Sequence, residues 1–581
     1  RHAVDDSGAT WLRLRPRRSG TFELSLLQMP LGSPYPAANV LPVRLKHADG
    51  VDAWTLDQGQ PRLPLGRFRL DAESYLQIAA AGEEGDIAVF EALELVDAEG
   101  RRERLGARRL DGRVATANGM ALWIPGFWRK APIEAGAEGD DVYWRGLLQP
   151  QALGGGAGVS LDFGLAFDSS CASAQSFQTL LEAPPPRQWP QGWLALDGTT
   201  VDDPRHARLL QQLPEVLEAQ ADWLQAYGWR QHGDYPVGPG YFQKGEPQED
   251  YSGLQYDLGT GLLLAWLQTG DPRLWRLARA AARSALDTQV VKFEPYAQKR
   301  SGAGLRKGMC PVEAQPGCRE PIPEYNYHAR ALLLYAALSG EAWPREVAQM
   351  QIDNSAYFAH TRQPWLLDSA RPLAWTLRNL VYGARAFPQG TRFNGSRESG
   401  YPRMAVGTPY AGLLRTLIDA LLDRVDALQG LPPEQPVWQG QLVEGLILAA
   451  DSGLLTPAQA ERARAAALQA VQQFRSRDLR RLDGGWQIRY SHGGDDFTPA
   501  DTYGALWLTP MAWAWQQSGR PKDPELFAFR DWLLDIHLRN RPTDPGAIDL
   551  RSARALSVWP SFPAWGLQQL QAADAAAGNA Q

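Results

Sequence analysis

The chain has 581 residues, a formal net charge of −6 and a pI near 5.9, with 44% hydrophobic and 21% charged residues. These values exclude collagen-like, coiled-coil and disordered classes, and the length predicts two or three domains. The acidic balance offers no field to a phosphate backbone, which argues against a nucleic-acid partner, and no apolar run reaches the roughly 20 residues of a membrane span.

From the N-terminus to Pro186, short alternating runs are broken by Gly, Pro and Asp. They include Thr21 to Leu27, Ile87 to Val96, Ala121 to Trp128 and Val159 to Phe167. Period-two alternation at this spacing predicts an antiparallel β-sandwich over residues 1–186. The run Ala183 to Pro186 (APPP) then marks a border, and 187–204 reads as a linker.

Helical patterns dominate from Arg205 onward: His206 to Tyr227, Leu274 to Leu286, Arg371 to Phe387, Leu413 to Leu428, Ala458 to Phe474 and Phe527 to Leu538. Gly261 to Asp271 (GLLLAWLQTGD) is echoed at Ala331 to Glu341 (ALLLYAALSGE), and 331 − 261 = 70 residues is the length of two helices with their loops. Looser echoes follow at Gly412 to Asp423, Gly445 to Gly453 and Ala505 to Gly519. Repeated helical hairpins, each with a Leu-rich helix ending at Gly, predict an (α/α) toroid over 205–570 with a short tail at 571–581. The expected fold class is therefore α+β and multidomain, a β-sandwich followed by a toroid.

The stretch from Tyr227 to Asp271 is the richest chemically. It packs Trp229, Arg230, His232, Asp234, Tyr235, Tyr241, Tyr256 and Asp257 into a glycine-rich segment that feeds an apolar helix. Aromatic faces stack on sugar rings while interleaved Arg, His and carboxylates bind hydroxyls and move protons. The competing reading is an ordered loop whose aromatics plug a helical core. A second cluster, Glu324 to Arg330, holds Tyr325, Asn326, Tyr327 and His328 ahead of the echo helix, where a His is as readily a cap as a catalyst. A third, Gly484 to Tyr503, offers Arg489, Tyr490 and His492 to a sugar. Its Asp495, Asp496 and Asp501 match no calcium loop and read as turns before they read as a structural calcium site. No other cofactor or metal is expected. Cys310 and Cys318, close together in a Pro/Gly-rich loop, fit a small disulfide-closed loop and an oxidising periplasmic or extracellular setting; Cys171 has no evident partner. The start at Arg1 without a methionine is read as a sign that a signal segment or a tag has been removed ahead of it.

Two chemistries suit these residues. Elimination at a uronate needs a cation or amide at the C5 carboxylate, a base for the C5 proton and an acid for the leaving oxygen, which Arg, Asn, His and Tyr supply. Hydrolysis needs two carboxyl groups, for which Asp234, Asp257, Glu324 and Glu398 are candidates. Serine-hydrolase, zinc-protease and nucleotide fingerprints are missing from the sequence.

The strings Tyr227-Gly228-Trp229-Arg230, Gly233-Asp234-Tyr235 and Tyr256-Asp257-Leu258, leading to Gly261-Leu262-Leu263 and Thr269-Gly270-Asp271, resemble the exo-rhamnogalacturonan lyase family and its YetA-like relatives. Tyr325 to Glu341 resembles a later segment of that family, and Ile124 to Lys130 a short aromatic segment of its β-domain. The resemblance implies a sandwich followed by a toroid, and eliminative removal of sugars from the end of an acidic polysaccharide. His232 stands where the family pattern has Phe, Gly259-Thr260 replaces Pro-His, and an insertion near Tyr241 to Asp250 enlarges the loop. These departures point to a different acidic glycan.

The expected activity is that of a lyase acting on a uronate-containing glycan. His328 or Tyr327 serves as base and Tyr256 or Tyr325 as acid, with Arg230, Asn326 and His232 on the carboxylate and Trp229, Tyr235 and Tyr241 stacked on sugar. A glycoside hydrolase on the same toroid and a non-catalytic glycan-binding protein are the alternatives. The sequence leaves the oligomeric state open.

Overall fold

The computed structural model describes residues 9–13, 20–28, 40–57, 62–71, 74–79, 90–100, 102–106, 112–115, 121–124, 133–138, 141–146, 163–166, 183–187, 201–223, 233, 256–290, 292, 328–361, 364–392, 404–432, 435–482, 485–491, 494–539 and 558–578. The protein is α+β. Antiparallel sheets occupy one compact unit (Arg1–Gly154, Val159–Ala183 and Leu224–His232) and helices dominate the other (Gly155–Gly158, Pro184–Trp223 and Gly233–Gln581).

In the strand unit, β1 (Ala9–Arg13), β6 (Tyr75–Ala79), β3 (Val40–His47) and β4 (Gly50–Asp57) pair in that order. A second sheet runs β5 (Arg62–Leu70), β2 (Gly20–Gln28), β7 (Phe90–Val96) and β8 (Arg102–Gly106). Phe22, Leu24 and Leu26 bury one face of β2 while Thr21 and Glu23 stay exposed, the alternation that a strand over one core requires. Register slips between Leu24 and Ser25, where β5 carries an extra residue beside Gly66 at φ 121°. Shorter antiparallel pairings join β9 (Gly112–Ala115), β10 (Ala121–Ile124) and β13 (Gly164–Ala166), and β11 (Ile133–Glu138) with β12 (Asp141–Gly146). Described strands fall within each of the four alternating runs.

The helical unit begins with α1 (Pro204–Trp223), α2 (Leu258–Thr269) and α3 (Pro272–Ser284). It continues with α4 (Ala329–Ser339), α5 (Ala342–Thr361), α6 (Ala370–Ala386), α7 (Tyr410–Leu428) and α8 (Pro436–Asp451). It ends with α9 (Pro457–Gln473), the small sheet β14 (Leu479–Leu482), β15 (Gly485–Arg489) and β16 (Phe497–Pro499), then α10 (Ala505–Gln517), α11 (Pro524–Arg539) and α12 (Ala564–Gly578). The caps follow local chemistry. Asp271 accepts from the Arg273 N–H at 2.8 Å ahead of Pro272, and Thr456 and Gln459 close a capping box around Pro457.

Even-numbered helices pack on one another in sequence: α2 on α4, α4 on α6, α6 on α8, α8 on α10 and α10 on α12. Just before α12, Ser561 approaches α2 so closely that a Cβ on Gly261 would lie 2.5 Å from its Oγ. Among odd-numbered helices, α1 packs on α3 and α11, α5 on α7 and α7 on α9. The even helices are apolar nearly all round, as α2 and α8 show, because neighbours cover them on several sides.

The echo is structural. Both α2 and α4 end at a glycine in the left-handed region, Gly270 and Gly340 at φ 75°, each closing on the carbonyl four residues back. The segments at Gly445 and Ala505 lie on even helices α8 and α10. Gly412 to Asp423 lies on α7, which packs on α5, α6 and α9, so that echo belongs to the odd series.

Candidate functional site

The N-terminal ends of the even helices carry the polar and aromatic side chains that meet. Ahead of α2, the buried Tyr256 ring stacks on Trp438 of α8 (6.0 Å between centroids, 22° between planes), and Trp438 meets Tyr503, ahead of α10, edge-on at 4.7 Å. The Arg371 guanidinium lies 4.4 Å over the same indole. Ahead of α4, the His328 ring stands edge-on to Trp375 of α6 at 4.0 Å. The Asn379 amide oxygen accepts from the Ala329 N–H at 3.4 Å, satisfying one of the first N–H groups of α4.

Asp257 caps α2 without a side-chain capping bond, its backbone in the left-handed region at φ 55° and ψ 41°. Asp tolerates this region better than most residues. Its own carbonyl accepts from the Ser561 hydroxyl at 3.0 Å. Both carboxylate oxygens are buried outside hydrogen-bonding geometry, with Thr260 facing them from the first turn. Burial pushes this carboxyl up to about 7, opposed by Thr260 and the Arg378 charge and assisted by the Glu444 charge.

Arg378 of α6 and Glu444 of α8 form a buried ion pair. Burial raises the Glu444 carboxyl and lowers the Arg330 guanidinium, while the Arg378 and Arg330 charges hold Glu444 down. Arg378 also lies 5.0 Å over Trp375 and 5.2 Å over Phe562. Acid, base, cation and aromatic surface thus occupy one buried neighbourhood.

Of the sequence candidates, Tyr256, Asp257 and His328 belong to this neighbourhood, and Asp257 and His328 line one small cavity. Arg489 and Tyr490 lie apart from that cavity, at the end of β15. Arg489 is committed to Asp478 at 3.0 Å, to the Arg477 carbonyl at 3.1 Å and to the Gly494 carbonyl, and packs over Phe497. The nearby Asp496 accepts from the Ser491 N–H and hydroxyl, the turn chemistry expected of it. Among the described residues no group of three or more His, Cys, Asp or Glu could hold a metal ion, and no helix is long and apolar enough to cross a membrane. Trp229, Arg230, His232, Asp234, Tyr235, Tyr241, Glu324, Tyr325, Asn326, Tyr327, Glu398, His492 and the three cysteines lie outside the described residues.

Sequence reasoning missed Arg378 and Glu444. Their signal is a lone charge inside an apolar helix, LAWTLRNLVYGA and GQLVEGLILAA, where burial without a partner would be costly. The departures Gly259 and Thr260 also fall here: a Cβ on Gly259 would sit 3.1 Å from that of Ala331 in α4. No protein-family model matches the chain, and no curated protein matches it.

Proposed function

We propose that the helices of the second unit close into an (α/α) toroid that follows a β-sandwich along the chain, and that the toroid cleaves a uronate-containing polysaccharide by β-elimination. The observation that carries this reading is the convergence of Tyr256, Asp257 and His328, at the N-terminal ends of α2 and α4, with the buried Arg330 and with Arg378 from the middle of α6. Ring closure is favoured by the packing of α11 on α1 and the approach of Ser561 to α2.

In this mechanism a base, His328 or Tyr327, removes the C5 proton. The pair of electrons left behind forms the C4–C5 double bond, and the C4–O bond breaks. Tyr256 or Tyr325 gives its proton to the departing oxygen. Arginine, amide and imidazole donors, with Arg230, Asn326 and His232 as candidates, neutralise the charge that grows on the uronate carboxylate. Trp229, Tyr235 and Tyr241 are the proposed stacking surface. An exported setting, periplasmic or extracellular, belongs to the same proposal and rests on Cys310 and Cys318.

One observation favours a second reading. Asp257 at about 7 and the raised, buried Glu444 are two carboxyl groups in different environments, the arrangement a glycoside hydrolase needs. Incubation with a panel of acidic glycans separates the readings. Elimination yields the ultraviolet absorbance of an unsaturated uronate; new reducing ends without that absorbance would overturn the lyase and support hydrolysis. Calorimetric binding with no product of either kind would leave a glycan-binding protein.

A further inference from the structure

Helix α5 carries a buried polar run, and most of its members have partners. Gln349 donates to the Gly390 carbonyl at 3.3 Å, Asp353 accepts from the Arg392 N–H at 2.9 Å and from the Tyr410 hydroxyl, and Ser355 is bonded by Asn379 at 2.9 Å. Gln351, in the middle of this run and 1% exposed, has neither amide atom in a protein hydrogen bond. An amide stranded in this way costs its full desolvation unless something small reaches it.

Gln351 lines the same cavity as Asp257, which is 2% exposed and whose buried carboxyl oxygens face Thr260 without closing a well-formed hydrogen bond. The cavity measures about 20 Å³, which is room for one water. Its remaining wall is mostly small and apolar, with Ala278, Ala282 and Ala331 among it. A calcium or magnesium ion would want six or more oxygen ligands, which the described residues of this wall do not supply, whereas a water needs two to four polar partners and both gives and accepts hydrogen bonds.

We infer that this cavity is a binding site for a single internal water that bridges the Asp257 carboxyl to the Gln351 amide, making Gln351 a positioning residue for Asp257. The occupancy stands without any reading of the activity; the importance of positioning Asp257 rests on the proposed site. Among the described residues, the charged and titratable groups that bear on Asp257 are Arg378 from α6, Glu444 from α8 and, across the cavity, His328 at the start of α4. A water held by Gln351 donates to the ionised carboxyl and so opposes the effect of burial.

The test is a high-resolution crystal structure of the full chain, paired with infrared titration of the Asp257 carboxyl band, assigned by its loss in Asp257→Asn. One water within hydrogen-bonding distance of both side chains is expected. In Gln351→Met, which keeps the length and removes both polar atoms, the water is lost and ionisation moves to higher pH. A dry cavity in the unaltered protein, a direct Asp257–Gln351 hydrogen bond, or a band that titrates unchanged in Gln351→Met would overturn the inference. Should Gln351→Met fail to fold, the density in the unaltered protein decides alone. Glycan turnover enters none of these readouts, so failure of the lyase reading would leave the water site intact.

Discussion

Asp257 is held at a cost. Its folded form binds a proton up to about pH 7, while its ordinary value is 3.8, so between these values the native state holds more protons than the unfolded chain. Stability from this residue is therefore present at low pH and lost as pH rises through that window. Asp257→Asn removes the dependence. The variant should match the unaltered protein near the acid end and exceed it at pH 8 by on the order of 4 kcal/mol, as read from denaturant unfolding at both ends. A constant difference across the range would show that Asp257 is not the titrating group. Glu444→Gln acts on the same cluster in two ways. It leaves the buried Arg378 beside a neutral amide, at about 3 kcal/mol, and it removes a charge that holds Asp257 up, so the Asp257 ionisation should fall to lower pH in an infrared titration.

At the scale of elements, two glycines of the helical unit make opposite predictions. A Cβ on Gly440 of α8 would lie 2.7 Å from the Leu506 carbonyl of α10, so Gly440→Ala should force these helices apart and cost about 2 kcal/mol or more in chemical denaturation. Gly412 on α7 is exposed and would meet nothing, so Gly412→Ala should gain about 0.5–1 kcal/mol through helix propensity alone. Equal effects at the two sites would contradict the packing of α8 on α10. The same elements show what was legible in the sequence. GLLLAWLQTGD and ALLLYAALSGE announced helices because an apolar run and its terminal glycine are local signals, and both glycines adopt the left-handed cap. The ion pair of Arg378 and Glu444 was illegible because its members are 66 residues apart (444 − 378 = 66) and meet only through the packing of α6 on α8. Gln351 sits among polar neighbours on α5, and only their bonding to other helices makes it stand out. The likeness of Gly412 to Asp423 to the even helices misled because composition alone does not say which face of the bundle a Leu-rich helix serves.

At the scale of the whole molecule, each unit buries its own core, with Phe22, Leu24, Leu26, Leu93 and Leu95 in the strands and an extended cluster from Leu209 to Leu570 in the helices. Separate cores predict two calorimetric transitions in place of one. The pH response assigns them. His206 on α1 is buried beside Gln268 and Trp559, and burial lowers it from 6.5 to about 4. Between these values the unfolded chain binds the extra proton, so stability from His206 rises with pH, by up to about 3 kcal/mol. Asp257 acts in the opposite sense over an overlapping window, and in the unaltered protein the two largely offset each other. Asp257→Asn should expose a helical-unit transition that climbs as pH goes from about 4 to 6.5, and His206→Gln one that declines toward pH 7. The transition of the strand unit should ignore both substitutions. If a single transition moves as one in every variant, the units unfold together and the division into two cores does not extend to their thermodynamics.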